Sequence, residues 1–371
     1  MSEKKFTSQH KKLGVNSFYG ERACKRLVET KDENITVNKS LPRRLNHLFG
    51  PSQVWKVFNK QCDALEFARQ KRNGVMTFAF QQSDGVRSFL VAHPQVFWFY
   101  DVQKRTSHRC TYEIIPESTA CKLYFDLEFD KQCNQDKNGP YAVDTFISLV
   151  LYFLFVLFKI TVSKDQVLNL DSTTEHKFSR HLIFQLNSCI FSDNKCVGEF
   201  VHFICNKLKL YLTSYENKSI SLDSDNILVG CKCCNYSESK NSRCVKGSGL
   251  SFNRLQNLTV LDKKGKTSLI CDENVYTKNR HFRLFQNTKW KKDAPLLLSA
   301  DNIYTPTLQI GNKAANKDIC SETYFLSSLV SNTSFLQIID GDVKVIHFKN
   351  QLQLGLTTCS DDNYKLRKPL S

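Results

Sequence analysis

The chain has 371 residues, 41 % of them hydrophobic and 12 % aromatic, enough apolar material for two domains or one large one, which excludes a disordered protein. Its 52 Lys and Arg against 36 Asp and Glu leave a formal charge of +16, which favours a polyanionic partner such as nucleic acid or an anionic membrane face. The 15 cysteines are odd in number and scattered, and Met1-Ser2-Glu3-Lys4-Lys5 carries no apolar signal region, so free thiols in a reducing compartment are expected rather than a secreted disulfide scaffold.

Residues 1–50 are polar and basic without a long apolar period, and read as an arm able to lie along phosphates. After Pro51, Ser52 is placed to cap a helix in which Trp55, Phe58, Cys62, Leu65 and Ala68 recur at spacings of three and four, ending near Lys71 to Gly74. Two alternating runs follow, Val75 to Phe80 and Val86 to Val91, with Ser83-Asp84-Gly85 between them as a hairpin turn. The aromatic run Val96 to Tyr100 completes a small α/β module over residues 51–112.

The next stretch, Lys122 to Asp130, alternates strictly. In a strand Leu123, Phe125, Leu127 and Phe129 share one face, and Tyr124, Asp126, Glu128 and Asp130 the other. Asp126 and Glu128 then stand about 6.5 Å apart along the strand and could converge on a divalent ion, which would relieve their mutual repulsion. A solvated polar face is the plain alternative for an isolated Asp-x-Glu. Residues 141–160 read as a helix whose centre, Leu149 to Phe158, is ten consecutive apolar residues; a membrane span needs about 20, so a buried helix is expected and no membrane. A second alternating strand, Lys177 to Phe184, puts Lys177, Ser179 and His181 in one row, an ammonium, a hydroxyl and an imidazole of the kind that hold a triphosphate.

Residues 200–212 again look helical. From 214 to about 257 the chain turns polar and reads as an insertion; its Cys231-Lys232-Cys233-Cys234 does not match paired zinc-ligand spacing, so no structural zinc is expected. Order returns at Leu258 to Leu261 and at Ser268 to Asp272, a strand ending in an acid. The cation-dense Val275 to Phe285 and Lys289 to Lys292 come next, then a helix at Glu322 to Val330 and a divergent tail, 336–371. Phosphate loops of the G-x4-G-K-[ST] and G-x-G-x-x-G kinds do not occur, and Ser179 is not in a G-x-S-x-G elbow. Carboxylates, a donor row and a basic segment together suggest metal-assisted phosphoryl transfer. A metal-dependent nuclease and a catalytically silent DNA-binding protein remain open beside it.

Cys121 to Phe129, Val167 to Ser172, Lys177 to Leu186 and Val275 to Arg280, in that order, resemble the eukaryotic primase-polymerases (PrimPol) of the archaeo-eukaryotic primase superfamily. The resemblance runs over roughly residues 50–335. It implies an α/β (α+β) core of two modules, the second, over 113–335, like an RNA-recognition motif with a mostly antiparallel sheet. By the family pattern Asp126, Glu128 and Asp272 hold Mn²⁺ or Mg²⁺ in a two-metal site. Arg87, Lys177, Ser179, Arg180, His181, Arg283 and Lys289 match nucleotide-binding positions, and Trp55, Lys56 and Arg280 match DNA-binding ones. The implied activity is nucleotidyl transfer from dNTPs or NTPs to a primer end on a DNA template, with lesion-tolerant repriming at stalled forks in the nucleus and mitochondrial matrix. A Cys/His zinc module and an acidic segment binding replication protein A follow the core in the family. Neither pattern follows residue 330 here, so extension without efficient priming is expected.

Overall fold

A computed structural model describes residues 41, 45–46, 50–71, 74–81, 86–186, 189–216, 250–306, 317–333 and 343–349. The basic arm, the Asp84-Gly85 turn, most of the polar insertion with its Cys231 to Cys234 run, and the tail beyond 349 lie outside them. The chain divides into two compact units between Tyr112 and Glu113.

In the first unit, β1 (Trp55–Phe58) is followed by helix α1 (Gln61–Lys71), β2 (Met76–Gln81), β3 (Arg87–Ala92), helix α2 (Pro94–Asp101) and the start of β4 (Thr111–Ile115). The expected helix from Ser52 is corrected here: Trp55 and Phe58 belong to a strand, paired antiparallel to β3 with Trp55 opposite Ala92 and Phe58 opposite Phe89. Strand pairing outweighs the three-and-four spacing, and the helix begins only at Gln61. The β2 and β3 runs pair antiparallel from Met76↔Ala92 to Gln81↔Arg87. The aromatic run becomes helix α2, with Pro94 in its first turn and the His93 imidazole accepting the Gln95 N–H as its cap. Phe97 stacks on Phe78 at 4.2 Å and both are fully buried, so this ring pair is the unit's core.

The second unit opens with the end of β4, then β5 (Tyr124–Asp130), helix α3 (Gly139–Phe158), β6 (Val167–Asp171), β7 (Lys177–Phe184), β8 (Cys189–Phe191) and helix α4 (Asn194–Glu216). After these come α5 (Phe252–Gln256), β9 (Thr259–Leu261), β10 (Thr267–Leu269), β11 (Arg280–Arg283), β12 (Leu297–Leu298), α6 (Lys317–Ser328) and β13 (Lys344–Ile346). A four-stranded sheet in the order β12-β6-β7-β5 is antiparallel throughout. With mixed helices and mostly antiparallel strands, the fold is α+β.

Alternation in β5 gives that sheet its two faces. Leu123, Phe125, Leu127 and Phe129 are buried, and Phe125 meets Phe146 of α3 edge-on at 5.0 Å and Phe184 of β7 at 5.5 Å. Helix α3 is two residues earlier at each end than its apolar run suggests. Asn138 caps it by accepting the Tyr141 N–H, Pro140 sits in the first turn, and Lys159 in the left-handed conformation closes it. By length and composition this helix could cross a membrane. Here Val143, Phe146, Val150 and Phe153 are buried against the sheet and the neighbouring helices, each such side chain contributing about 1.5–3 kcal/mol. A second aromatic cluster joins Phe158, Phe191, Phe200 and Phe348, the last following β13, which pairs parallel to β8. Eight cysteines are free among the described residues, six of them buried.

Candidate active site

The register of β5 against β7 sets the chemistry. Asp126 lies opposite His181, Glu128 opposite Ser179 and Asp130 opposite Lys177, so three acids and the Lys-Ser-His row share the face turned away from the core. On the other edge of β5 the chain returns with Cys271 opposite Leu127; the Glu128 N–H donates to the Ile270 carbonyl at 2.8 Å and the Asp272 N–H to the Asp126 carbonyl at 2.9 Å. Directly opposed residues in such a pairing point to the same side, so Asp272 joins Asp126 and Glu128 there. The three carboxylates come from two segments more than a hundred residues apart.

Cations surround them. The Lys177 ammonium pairs with Glu128. Lys289, in the loop after β11, is held below the usual lysine range by burial and by the positive Arg283 and Lys177, and pulled back up by Asp126 and Glu128. The Arg283 guanidinium, 6 % exposed, donates to Ser172 Oγ at 2.5 Å and to the Ala294 carbonyl at 3.0 Å; Ser172 in turn donates to Ser179 Oγ at 3.1 Å. Ser172 ends the family-like run Val167 to Ser172 but carries no role in the sequence reading, since nothing local marks a serine that links a distant arginine to the donor row.

His181 stacks on Phe282 at 4.2 Å, and its Nε2 lies 3.8 Å from Asp126 Oδ1. Burial, then Arg283, Lys289, Arg280 and Lys177, push its pKa well below the ordinary imidazole value, so it is neutral, and its buried Nδ1 has no hydrogen-bond partner among the described residues. Asp126 behaves in the opposite sense. Burial, then Glu128 and, more weakly, Asp272 raise its carboxyl against the pull of Lys289 and Lys177, to about 7, and its buried Oδ1 also lacks a hydrogen-bond partner among the described residues.

The acids line a face rather than close a cage: among the described residues no three His, Cys, Asp or Glu side chains form a ready metal cluster. The donor set nonetheless fits a hard divalent ion. It consists of carboxylate oxygens, one of them a buried acceptor that no described residue hydrogen-bonds, and the repulsion that raises Asp126 is of the kind a cation removes.

Arg180 stands apart from the other predicted nucleotide contacts. It lies on the opposite side of β7, 5 % exposed, paired with Asp171 and with Asp301 at 3.5 Å and stacked over Phe178 at 4.8 Å. Arg280 begins β11, near enough to His181 for its charge to be felt there. Arg87, Trp55 and Lys56 belong to the first unit. There Arg87 is exposed at the start of β3 with its guanidinium 6.0 Å from the Tyr112 ring, Trp55 meets Tyr100 edge-on at 5.0 Å, and Lys56 lies over Phe67 at 4.4 Å.

An antiparallel sheet in an α+β fold, whose face away from the aromatic core gathers three carboxylates beside lysine, arginine, serine and a neutral histidine, defines a class, a domain suited to cations and polyphosphates. No protein-family model matches the chain. Its curated homologues are DNA-directed primase/polymerase proteins: 37 % identity over 296 residues to that of Mus musculus (77 % of this chain, 52 % of the mouse protein), 36 % over 315 to that of Homo sapiens (79 % and 55 %) and 35 % over 330 to that of Bos taurus (81 % and 57 %). The chain is thus homologous to primase-polymerases over most of its length, and spans about half the length of the curated relatives it matches.

Proposed function

We propose that this chain is a DNA-directed nucleotidyltransferase that adds dNTPs, or NTPs, to a primer 3′ end on a DNA template. The observation that carries the proposal is the meeting of Asp126, Glu128 and Asp272 on one sheet face, beside Lys177 and Lys289. Asp126, Glu128 and Asp272 would hold Mn²⁺ or Mg²⁺, which when bound supplies charge neutralisation for the triphosphate and acidifies the primer hydroxyl. Lys177 and Lys289 bind the phosphate oxygens through their ammonium groups, Lys177 exchanging its pairing with Glu128 for the phosphate. Arg283, fixed by Ser172 and the Ala294 carbonyl, adds a rigid positive charge beneath them. Ser179 and neutral His181 supply hydrogen bonds that carry no net charge into a site already crowded with it. Single-stranded template and primer-template are the substrates in this reading, and Trp55, Lys56, Arg87 and Arg280 serve DNA or nucleotide contact.

Localisation to the nucleus and mitochondrial matrix belongs to the same proposal, and rests on the family resemblance of the motifs rather than on the site. Primer extension with Mn²⁺ or Mg²⁺ and dNTPs tests its core. Asp126→Ala with Glu128→Ala is expected to lower extension by at least a thousandfold, about 4 kcal/mol of transition-state stabilisation, with DNA affinity nearly unchanged. A double variant that extends at the parent rate refutes the assignment. Labelled DNA incubated with metal but no dNTP keeps its length under this reading; shortening would point to a nuclease.

A further inference from the structure

We propose that Glu273 is a positioning residue, and that one stripe of helix α4 sets where the third carboxylate, Asp272, stands. This inference rests on the site reading above. The stripe is Asn194, Gly198, His202, Cys205 and Lys209, spaced by four, four, three and four, which puts all five on one side of the helix.

Each of them meets the Cys271 to Thr277 segment, which runs antiparallel to the helix. Asn194 Nδ2 donates to the Thr277 carbonyl at 3.0 Å. Gly198 leaves the space in which Tyr276 packs: a Cβ there would come within 2.7 Å of the Tyr276 Cβ. The buried Cys205 lies beside the buried Cys271, close enough for each thiol to be felt by the other. Glu273 is gripped at both oxygens, by His202 Nδ1 at 2.8 Å on Oε2 and by Lys209 Nζ at 2.6 Å on Oε1. The opposite side of the segment is fastened to β5, through the Asp272 N–H on the Asp126 carbonyl at 2.9 Å, Tyr276 Oη on the Tyr124 carbonyl at 2.8 Å and Tyr124 Oη on the Val275 carbonyl at 3.1 Å.

The geometry explains why so many bonds gather on seven residues. Asp272 caps the short 3-10 turn Glu273–Val275 with its own Oδ1, accepting from the Asn274 N–H at 3.0 Å, so one carboxylate oxygen is taken by the turn and the other is left for the site. Rotation of that turn would swing the free oxygen away from Asp126. Glu273 is the next residue along, and its double grip on α4 resists that rotation. Groups that orient ligand-bearing residues in this way change metal affinity by about ten- to a hundredfold when removed.

The test uses the full chain and Mn²⁺ alone, with binding followed by the electron paramagnetic resonance signal of free Mn²⁺, and with thermal unfolding and primer extension measured in parallel. Glu273→Gln keeps the size and removes the charge. It is expected to weaken Mn²⁺ binding about tenfold and to raise the Mn²⁺ concentration for half-maximal extension by the same factor, with Tm little changed. Glu273→Lys paired with Lys209→Glu is expected to restore most of the lost affinity, which a general loss of stability would not do. If Glu273→Gln binds Mn²⁺ as the parent does, the positioning role is overturned and the site reading stands. If the parent itself binds no Mn²⁺ while folded, the site reading falls and takes this proposal with it.

Discussion

Ser179 and Arg180 are adjacent in one motif and belong to opposite sides of one strand, so the motif supplies a hydroxyl to the site and a guanidinium to the fold. The buried guanidinium is matched by Asp171, and removing one partner of such a pair leaves the other uncompensated. Arg180→Met is therefore expected to cost roughly 3 kcal/mol, read as a lower urea midpoint, with the KM for dNTP of the folded enzyme within about twofold of the parent. Lys289→Ala makes the contrast. It takes a charge from the phosphate side and is expected to raise that KM about tenfold, the loss of one charge-assisted hydrogen bond, with little change in the urea midpoint. A KM that rose as far for Arg180→Met would place its charge on the nucleotide instead.

At the scale of elements, two junctions hold the units' strands and helices in register. Helix α3 starts so close to β7 that a Cβ on Gly139 would lie 2.2 Å from the Phe178 ring, and that ring cannot retreat, because it is stacked on Phe129 at 4.8 Å. Gly139→Ala should therefore destabilise by about 1–3 kcal/mol, measured by denaturant unfolding, and should perturb the strand that carries Lys177 and Ser179. The second junction is the cap of α2. Burial lowers the His93 pKa from 6.5 to about 4, and the neutral ring is also the acceptor for the Gln95 N–H. Above pH 6.5 folded and unfolded states both hold the ring neutral, so stability is at its full value there. Below 6.5 the unfolded chain takes up a proton that the fold refuses, and stability falls until about pH 4, where both bind it. The loss over that window is roughly 3 kcal/mol, and His93→Asn, which can still cap, should abolish this part of the acid sensitivity in unfolding curves measured between pH 4 and 7. Strands such as β5 and β7 were legible because alternation is a local property that the fold keeps. Trp55 and Phe58 were not, because their partner strand lies more than thirty residues on and its pairing outweighs local spacing. The acids and the donor row could be named from the chain, but the face assignment of Arg180, the link through Ser172 and the grip on Glu273 depend on residues brought together only by folding.

Over the whole molecule the formal charge is +16, and under the proposed function that excess is used on phosphates rather than on a particular base sequence. Each phosphate neutralised on a single strand releases condensed counterions, so affinity falls with salt along a logarithmic slope of about 0.7 per contact. For about five contacts, raising the salt from about 50 to about 200 mM would weaken binding on the order of a hundredfold, with similar slopes for oligonucleotides of unrelated sequence. Fluorescence anisotropy with labelled single strands measures this directly. Folding need not follow the same curve, since the buried aromatic clusters that hold each unit together carry no charge, and the Tm should shift by only a few degrees over that range. A flat salt dependence of binding, with affinity set instead by base sequence, would mean that the excess of lysine and arginine is a solvated surface, and that recognition lies in base contacts.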